Sequence, residues 1–422
     1  MLERRRPLGA PVTIYLDDAP IPAERGEPLA VALLGAGKGT LARSPKLHRP
    51  RGPSCLRGAC DGCLARVDGV PNVMTCLRPA RGGERIETQN VIGSRESDVL
   101  RVTDWFFPKG IDHHHLMAGI PGVSSVMQTF ARKLAGLGRL PDAKVAPKEA
   151  RVIETDALVV GAGLAGRVVA SRLAARGARV CLVDDGAAPG GSLSGAPELA
   201  ERIERKYPLD RADVRVCHVA AGVYRGETLI ASEEGAIVVR SKVKVFATGA
   251  HDGVLAVANN DLPGLFSARA LAQLAARGIT PKRGAAIVGE GFWADRVTAA
   301  LGEAKVVRVA ASSVESVVGT SRVRGLRVRD GGERGGGGER SIEVDVVGVA
   351  IPGAPSFEVA AQAGAGVRFD ELSGYAVSCD ERGRAADGVW AAGECTGIPF
   401  DPDLIVGQAE RVAGDVEKAL GG

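Results

Sequence analysis

The sequence predicts an α/β protein built from several domains, and three observations support this prediction. The chain has 422 residues, which is enough for two or three domains of about 150 residues each. Four of its eight cysteines lie within residues 55–76, among strand-like and turn-like segments. Two glycine-rich loops, at 161–166 and 289–291, each follow a buried-strand pattern and precede a helix-like pattern.

Composition excludes several classes of function. The chain carries 54 Lys+Arg and 50 Asp+Glu, a net charge of +4, which argues against nucleic acid or an anionic membrane as the main partner. No run of about 18 uncharged apolar residues occurs, so we expect no transmembrane segment. The basic start lacks the apolar region of a secretion signal, so we expect a cytoplasmic protein that uses cysteines for metal or redox chemistry.

The first domain, assigned to residues 1–97, has the element order of a β-grasp fold. Residues 12–16 alternate as a strand does, and 27–34 place Leu29 and Leu33 on one helical face. A hairpin centred on Asp68-Gly69 and a closing strand at 85–89 follow. This order is typical of ferredoxin-like domains.

Four cysteines in this domain have the spacing of an iron-sulfur site. The pattern C-x4-C-x2-C-x12-C is what a [2Fe–2S] cluster needs when a distant strand supplies the fourth thiolate. The predicted ligands are Cys55, Cys60, Cys63 and Cys76. Zinc is the main alternative, although four-cysteine zinc sites usually contain two C-x2-C pairs, and unligated cysteines are the third reading. The other four cysteines are predicted to be small core residues.

A basic segment, Arg43–Gly52, precedes the cysteines and has two interpretations. It is either a solvated surface loop or a source of positive charge near an anionic cluster. The segment resembles one near the N-terminus of the alpha subunit of heterotetrameric sarcosine oxidase. Related chains of hydrogen cyanide synthase, opine oxidases and proline or hydroxyproline dehydrogenases carry a cluster domain of this kind. The intact cysteines make this chain more similar to that dehydrogenase branch.

Residues 98–150 are predicted to be a helical connector. Residues 98–107 have a helix-like pattern that ends at Pro108, and apolar residues between 123 and 137 follow one helical face. The three adjacent histidines at 113–115 would diverge on a helix, so we expect no metal site there.

The second block begins with a dinucleotide-binding fingerprint. A strand ending at residue 160 enters the loop that contains Gly161, Gly163 and Gly166, and a helix follows. The next strand ends at Asp184-Asp185, and Asp184, 23 positions after Gly161, is the expected ribose-binding acid. Strand, glycines, helix, strand and acid in this order predict nucleotide binding at the helix N-terminus.

Three later motifs resemble those of glutathione-reductase-like flavoproteins and therefore imply FAD. They are expected to contribute Gly190, Gly191, Ala247, Thr248, Gly249, Gly393 and Glu394 to the cofactor site. The resemblance implies that Glu394 accepts a hydrogen bond from the ribityl chain, although Asp is commoner there. NAD and ATP remain alternatives, because relatives hold them in the equivalent place. This FAD-type domain is assigned to 151–255 and 351–422.

A second Rossmann-like unit is inserted at 256–350, and we predict that it is degenerate. Glu290 places a carboxylate in the loop that would receive pyrophosphate. The strand that follows, residues 306–310, ends without a ribose-binding acid or an arginine suited to a 2′-phosphate.

Two functions remain open from the sequence. In the first, the chain is the electron-transfer subunit of an amine or amino-acid dehydrogenase or oxidase of sarcosine, proline, hydroxyproline, glycine or opine type. A partner flavoprotein would then deliver electrons to FAD and the cluster in a hetero-oligomer. In the second, the chain is a self-sufficient NAD(P)H-dependent reductase; a non-enzymatic scaffold is disfavoured by the intact cysteines. We find no set of catalytic residues for carbon–nitrogen oxidation, which favours a partner.

Overall fold

The computed structural model describes residues 2–44, 49–91, 95, 125–126, 129, 146, 148–329 and 338–421. The connector predicted for 98–150, with its helical patterns and histidines, lies almost entirely outside these residues. Within the described residues, no helix is both long enough and apolar enough to cross a membrane.

The N-terminal domain is a five-stranded mixed sheet with one short helix against it. The strand order is β3-β2-β8-β6-β7; β2 and β8 are parallel, and the other pairs are antiparallel. The sheet and helix are a β-grasp arrangement. The elements are β1 (Leu2–Arg4), β2 (Pro11–Leu16), β3 (Ala19–Glu24), α1 (Leu29–Gly35), β4 (Ala42–Arg43), β5 (Pro50–Arg51), β6 (Leu64–Val67), β7 (Val70–Met74) and β8 (Arg85–Glu87).

Strand β3 was not expected from the sequence, which indicates a turn at residues 17–20. The turn is confined to Asp17 and Asp18, both with positive φ, and β3 begins directly after it. Pro20 and Pro22 lower the strand propensity of this segment. They are tolerated because β3 is the edge strand, where a missing N–H need not face a neighbour.

The dinucleotide domain is a doubly wound sheet of order β11-β10-β9-β14-β13-β12, with β28 (Val389–Ala391) also paired to β14. Strands β9, β10, β11, β14 and β28 are parallel. Strand β9 lies between β10 and β14, so the loop after β9 opens where the strand order reverses. The elements before the insertion are β9 (Arg151–Val160), α2 (Leu164–Ala175), β10 (Val180–Val183), α3 (Pro197–Lys206), β11 (Asp213–Arg215), β12 (Val219–Tyr224), β13 (Glu227–Ser232), β14 (Gly235–Phe246) and β15 (Ala250–His251).

The inserted unit has a parallel four-stranded sheet, β16-β23-β18-β19, and an antiparallel sheet, β20-β21-β22. A βαβ unit with a glycine loop is therefore present. Its elements are β16 (Leu265–Ser267), α4 (Ala268–Ala276), β17 (Ile279–Pro281), β18 (Ala285–Gly289), α5 (Phe292–Leu301), β19 (Val306–Val309), β20 (Val314–Gly319), β21 (Val323–Arg329), β22 (Glu339–Glu343) and β23 (Val346–Ala350).

The chain leaves and re-enters the dinucleotide domain through two short strands that pair with each other, β15 and β24. The returning segment completes the sheet and ends in a long helix. Its elements are β24 (Ala354–Pro355), α6 (Glu358–Gln362), β25 (Val367–Asp370), β26 (Gly374–Val377), β27 (Arg384–Ala386), β28 (Val389–Ala391) and α7 (Pro402–Gly421).

The N-terminal domain is attached to the inserted unit at two places. Strand β1, assigned from sequence to the first domain, pairs with β17 of the inserted unit. On the basic segment, Arg49 and Arg51 both form ion pairs with Asp261, at 2.7 and 3.1 Å. These arginines therefore serve interdomain attachment, a role that neither sequence interpretation of the segment included.

Asp261→Asn should weaken this attachment, because two arginines would lose an ionised partner at a partly buried position. We expect the free energy of unfolding to fall by about 1 kcal/mol, measured by chemical denaturation. Asp295→Asn is the control: its pair with Arg308 lies on the exposed surface, so no measurable change is expected. Equal losses in the two variants would contradict the interdomain role.

Candidate functional site

The loop after β9 requires glycine at two positions because backbone atoms approach closely. Gly161 has φ +99°, and a Cβ there would lie 2.3 Å from the carbonyl oxygen of Ala247. A Cβ on Gly166 would lie 1.8 Å from the carbonyl oxygen of Gly161. These glycines let the first turn of α2 pack directly against the loop.

Gly163 has a different environment. No protein atom lies within 4 Å of where its Cβ would be, so a side chain there would project into open space. Helix α2 begins at the next residue, and no side chain caps its N-terminus. Free N–H groups and the helix dipole make this end suitable for a phosphate.

Gly190 and Gly191 pack against the loop that follows β9. The Gly190 N–H donates to the Ala162 carbonyl at 2.8 Å, and a Cβ on Gly191 would lie 3.3 Å from the Cα of Gly163. Both glycines have positive φ. The two glycine segments are therefore one rigid backbone cradle.

Asp184 and Asp185 have different environments at the end of β10. The Asp184 carboxylate accepts hydrogen bonds from the N–H groups of Ala162 and Gly186, at 2.6 and 2.8 Å. Burial raises the pKa of Asp184 even though these hydrogen bonds act in the opposite direction. Asp185 is more accessible in the cleft, yet desolvation and the charge of Asp184 raise its pKa to about 6. Asp184 thus holds the glycine loop, and Asp185 faces the cleft.

Glu394 makes a contact that the sequence did not indicate. Its carboxylate is paired with Arg269 of α4: Nη1 donates to Oε2 at 2.8 Å, and Nη2 donates to Oε1. Burial alone would lower the pKa of Arg269, but Glu394 and Asp252 outweigh it and raise the pKa. The acid expected to receive a ribityl hydrogen bond is therefore already held by a buried guanidinium. Nothing in the local pattern around Arg269 could have revealed this.

One cavity of about 440 Å³ joins most of the predicted cofactor residues. Eleven of the twelve line it: Gly161, Gly163, Asp184, Asp185, Gly190, Gly191, Ala247, Thr248, Gly249, Gly393 and Glu394. The exception is Gly166, whose close contact with Gly161 is structural. Sequence reasoning missed several other lining residues, among them His218, Gln273 and Phe400.

The four predicted cluster ligands lie close together. The sulfurs of Cys63 and Cys76 are 3.4 Å apart, and the Cys55 thiol interacts with those of Cys60 and Cys76. Hairpin β6–β7 brings Cys76 to the loop, as the sequence indicates. Pairs Cys55/Cys60 and Cys63/Cys76 match the need of a two-iron cluster for two thiolates on each iron. Within the described residues, no three metal-binding side chains converge on a single-ion position.

Backbone N–H groups point at these sulfurs. The N–H groups of Arg57 and Ala59 donate to Cys55 Sγ at 3.4 and 3.3 Å, and that of Gly58 donates to Cys76 Sγ at 3.2 Å. Contacts with Cys60 and Cys76, together with these N–H groups, lower the pKa of Cys55. Such donors stabilise anionic sulfur, so the loop fits an anionic cluster.

The cysteine loop (residues 55–63) also lines the cavity of about 440 Å³, which is called the nucleotide cavity below. Leu56, Arg57, Gly58 and Ala59 line it together with Cys76 and the glycine loops. The charges of both Arg57 and Cys55 act on the pKa of Asp185 across this cavity. The cysteines and the glycine loops therefore lie next to each other in the structure.

Comparison with protein families supports the division of the chain into a cluster domain and a dinucleotide-binding domain. Residues 9–91 match a 2Fe-2S iron-sulfur cluster binding domain, and residues 159–211 match an NAD(P)-binding Rossmann-like domain. The N-terminal domain is thus of the [2Fe–2S] type, and the next domain is a dinucleotide-binding domain.

The chain is similar to sarcosine oxidase subunit alpha of Rhizobium meliloti (strain 1021), with 30% identity over 315 residues, covering 66% of this chain and 32% of that protein. The corresponding subunit of Corynebacterium sp. (strain P-1) is 28% identical over 293 residues, covering 62% and 26%. The family resemblance is confirmed. The chain spans about a third or less of the length of these alpha-subunit relatives.

Solved structures share the fold. L-Proline dehydrogenase from P. horikoshii superposes with a TM-score of 0.72 at 21% identity, covering 100% of this chain and 76% of that one. T. acidophilum thioredoxin reductase has a TM-score of 0.52 at 20% identity, covering 64% of this chain and 99% of the reductase. The predicted fold, a cluster domain followed by a two-dinucleotide fold, is confirmed.

The purified protein should contain about two iron and two acid-labile sulfide per chain, because four thiolates at this spacing suit one such cluster. Cys76→Ser should lose or alter the cluster, whereas Cys379→Ser, outside the loop, should leave iron and sulfide unchanged. Metal and sulfide analysis after anaerobic purification measures both. Stoichiometric zinc without sulfide would refute the assignment.

Gly163→Ala should weaken nucleotide binding, whereas Gly166→Ala should lower the stability of the fold. The new methyl group at 163 meets no protein atom, so the melting temperature without nucleotide should not change. The methyl group would clash with the ligand, so the affinity for FAD should fall by about tenfold or more. The methyl group at 166 meets Gly161, so stability should fall by about 1–3 kcal/mol. Calorimetry and FAD titration separate the two. A stable Gly166→Ala protein would contradict the packing argument.

Proposed function

We propose that this chain is the electron-transfer subunit of an amine or amino-acid dehydrogenase or oxidase that acts on CH–NH bonds. The observation that carries the proposal is the shared cavity: residues 56–59 of the cysteine loop, Cys76 and the glycine loops all line it. Bound FAD and a [2Fe–2S] cluster would supply an electron relay there. The names of its relatives, sarcosine oxidase subunit alpha and L-proline dehydrogenase, support this substrate class.

In this proposal a partner flavoprotein binds the amine. The carbon next to nitrogen loses a hydride to the partner, the nitrogen loses a proton, and the amine becomes an imine. The two electrons of the hydride would then pass to this chain, its proton would be released to solvent, and the electrons would leave one at a time to a one-electron acceptor. The chain contributes positioning: the glycine cradle holds the nucleotide, and the cysteine loop fixes the cluster beside it.

We infer FAD as the nucleotide, held in the cavity lined by eleven of the twelve residues predicted from sequence, with NAD or ATP as the alternatives. The backbone cradle and the uncapped N-terminus of α2 support a pyrophosphate in this cavity. We propose that Asp185, rather than the Asp184 predicted from sequence, binds the ribose hydroxyls, because the Asp184 carboxylate already accepts hydrogen bonds from the loop. Glu394, held by Arg269, lines this cavity, and the ribityl chain would lie beside it.

The contacts of the inserted unit argue against direct reduction by NAD(P)H. Glu290 is exposed between Gly289 and Gly291, and its N–H donates to the Ala350 carbonyl at 3.1 Å rather than facing a phosphate. Asp295 adds a second carboxylate in the first turn of α5. Arg308 neutralises Asp295, so the repulsion of a pyrophosphate at close range comes from Glu290.

A second candidate function is the self-sufficient NAD(P)H-dependent reductase. One observation favours it: a second cavity of about 410 Å³ is lined by Glu290, Gly291, Phe292 and the buried Arg269. This cavity adjoins Glu394, which also lines the nucleotide cavity. Reduction assays on the isolated chain distinguish the two functions.

The isolated chain should be reduced slowly or not at all by NADH, NADPH or free amino acids. It should gain activity with proline, sarcosine, glycine or an opine only when a partner flavoprotein is added, measured by dye reduction and by bleaching of the visible spectrum. Glu290→Gln should accelerate any NADH reduction by roughly tenfold, because it removes one repulsive charge. Rapid stoichiometric bleaching of the unmodified chain by NADH would establish the reductase instead.

A further inference from the structure

Arg57 belongs to both sites at once. Its backbone N–H donates to Cys55 Sγ at 3.4 Å, and its side chain lines the nucleotide cavity. Residues of the dinucleotide domain hold the Arg57 guanidinium. Its Nη2 donates to the Ala250 carbonyl at 2.9 Å and lies 3.1 Å from Asp252 Oδ1. A cation from the cysteine loop is thus anchored in the other domain.

Asp252 extends this contact into a chain of alternating charges. Its Oδ1 lies 3.4 Å from Arg269 Nε, and Arg269 is paired with Glu394 at the end of the nucleotide cavity. A backbone contact runs beside it, because the Ser267 N–H at the N-cap of α4 donates to the Ser54 carbonyl at 3.0 Å. The cysteine loop and the helix that carries Arg269 are therefore tied together.

Two polar atoms in this chain of charges make no hydrogen bond. Among the described residues, Arg57 Nε and Asp252 Oδ2 are buried side-chain atoms without a hydrogen-bond partner. The Arg57 and Asp252 side chains are only 19% and 12% exposed. Weak screening by solvent lets such charges act strongly on neighbouring groups.

We propose that Arg57 sets the potential of the cluster and couples it electrostatically to the nucleotide site, with Asp252 as its counter-charge. Reduction makes the cluster more negative, so a fixed cation beside it favours the reduced state and raises the potential. Asp252 moderates this effect because it partly neutralises Arg57. Arg57 is a positioning residue in this role. The inference rests on the cluster and nucleotide of the proposed function and is independent of the amine substrate.

The test is a redox titration of the purified chain with dithionite, in which the reduced cluster is followed by electron paramagnetic resonance. The variants are Arg57→Gln, Arg57→Lys, Asp252→Asn and the double variant Arg57→Gln/Asp252→Asn. Arg240→Gln is the matched control, since that arginine is paired with Glu227 on an exposed strand. Iron and sulfide content is measured for every variant as a control for cluster loading.

Arg57→Gln should lower the equilibrium constant for cluster reduction by about tenfold, equivalent to about 59 mV for one electron. Asp252→Asn should shift the potential in the opposite direction, the double variant should return close to the starting value, and Arg57→Lys and Arg240→Gln should change it little. Shifts of Arg57→Gln and Asp252→Asn in the same direction would indicate a merely structural contact and overturn the proposal.

Asp252→Asn keeps the proposal testable if Arg57→Gln fails to load a cluster, because Asp252 lies outside the cysteine loop. An unchanged potential in a fully loaded Asp252→Asn protein would also overturn the proposal. These potentials are measured without amine or partner, so failure of the amine dehydrogenase assignment would leave the result interpretable.

Discussion

The packing of the cysteine loop against the dinucleotide domain is the contact on which the rest of the architecture depends. Neither domain encloses the nucleotide cavity alone: one wall is the glycine cradle and the opposite wall is loop 56–59 with Cys76. The β1–β17 pairing and the ion pairs of Asp261 hold the N-terminal domain in this position. The attachment of the N-terminal domain to the inserted unit therefore determines whether the cysteine loop adjoins the glycine loops.

The contact also places several charged side chains at buried positions. Backbone N–H groups face the sulfurs, while Arg57, Asp252, Arg269 and Glu394 alternate in sign from the cysteine loop to Glu394 in the cavity wall. Buried ion pairs of this kind add little net stability because desolvation offsets the attraction. Their orientation fixes the local field, which is what two neighbouring redox sites require.

Local signals in the sequence predicted much of the fold and of the site. The cysteine spacing and the glycine loop depend on residues close in the chain, and the cradle around Gly161 shows why only glycine fits. Contacts between distant residues were missed: Arg57 meets Asp252, and Arg269 meets Glu394 across 125 positions. No periodicity or spacing encodes such pairs. Strand β3 was missed because its prolines are acceptable only at a sheet edge, which is a tertiary property.

The central claim is that the two cofactor sites exchange electrons within one chain. Flash photoreduction of the isolated protein, loaded with FAD and cluster, tests it most directly when the flavin and cluster absorbances are followed together. The structure predicts that electrons redistribute between the two groups at a rate independent of protein concentration. A rate proportional to protein concentration would show that electrons pass only between molecules, and it would contradict the shared cavity as the route.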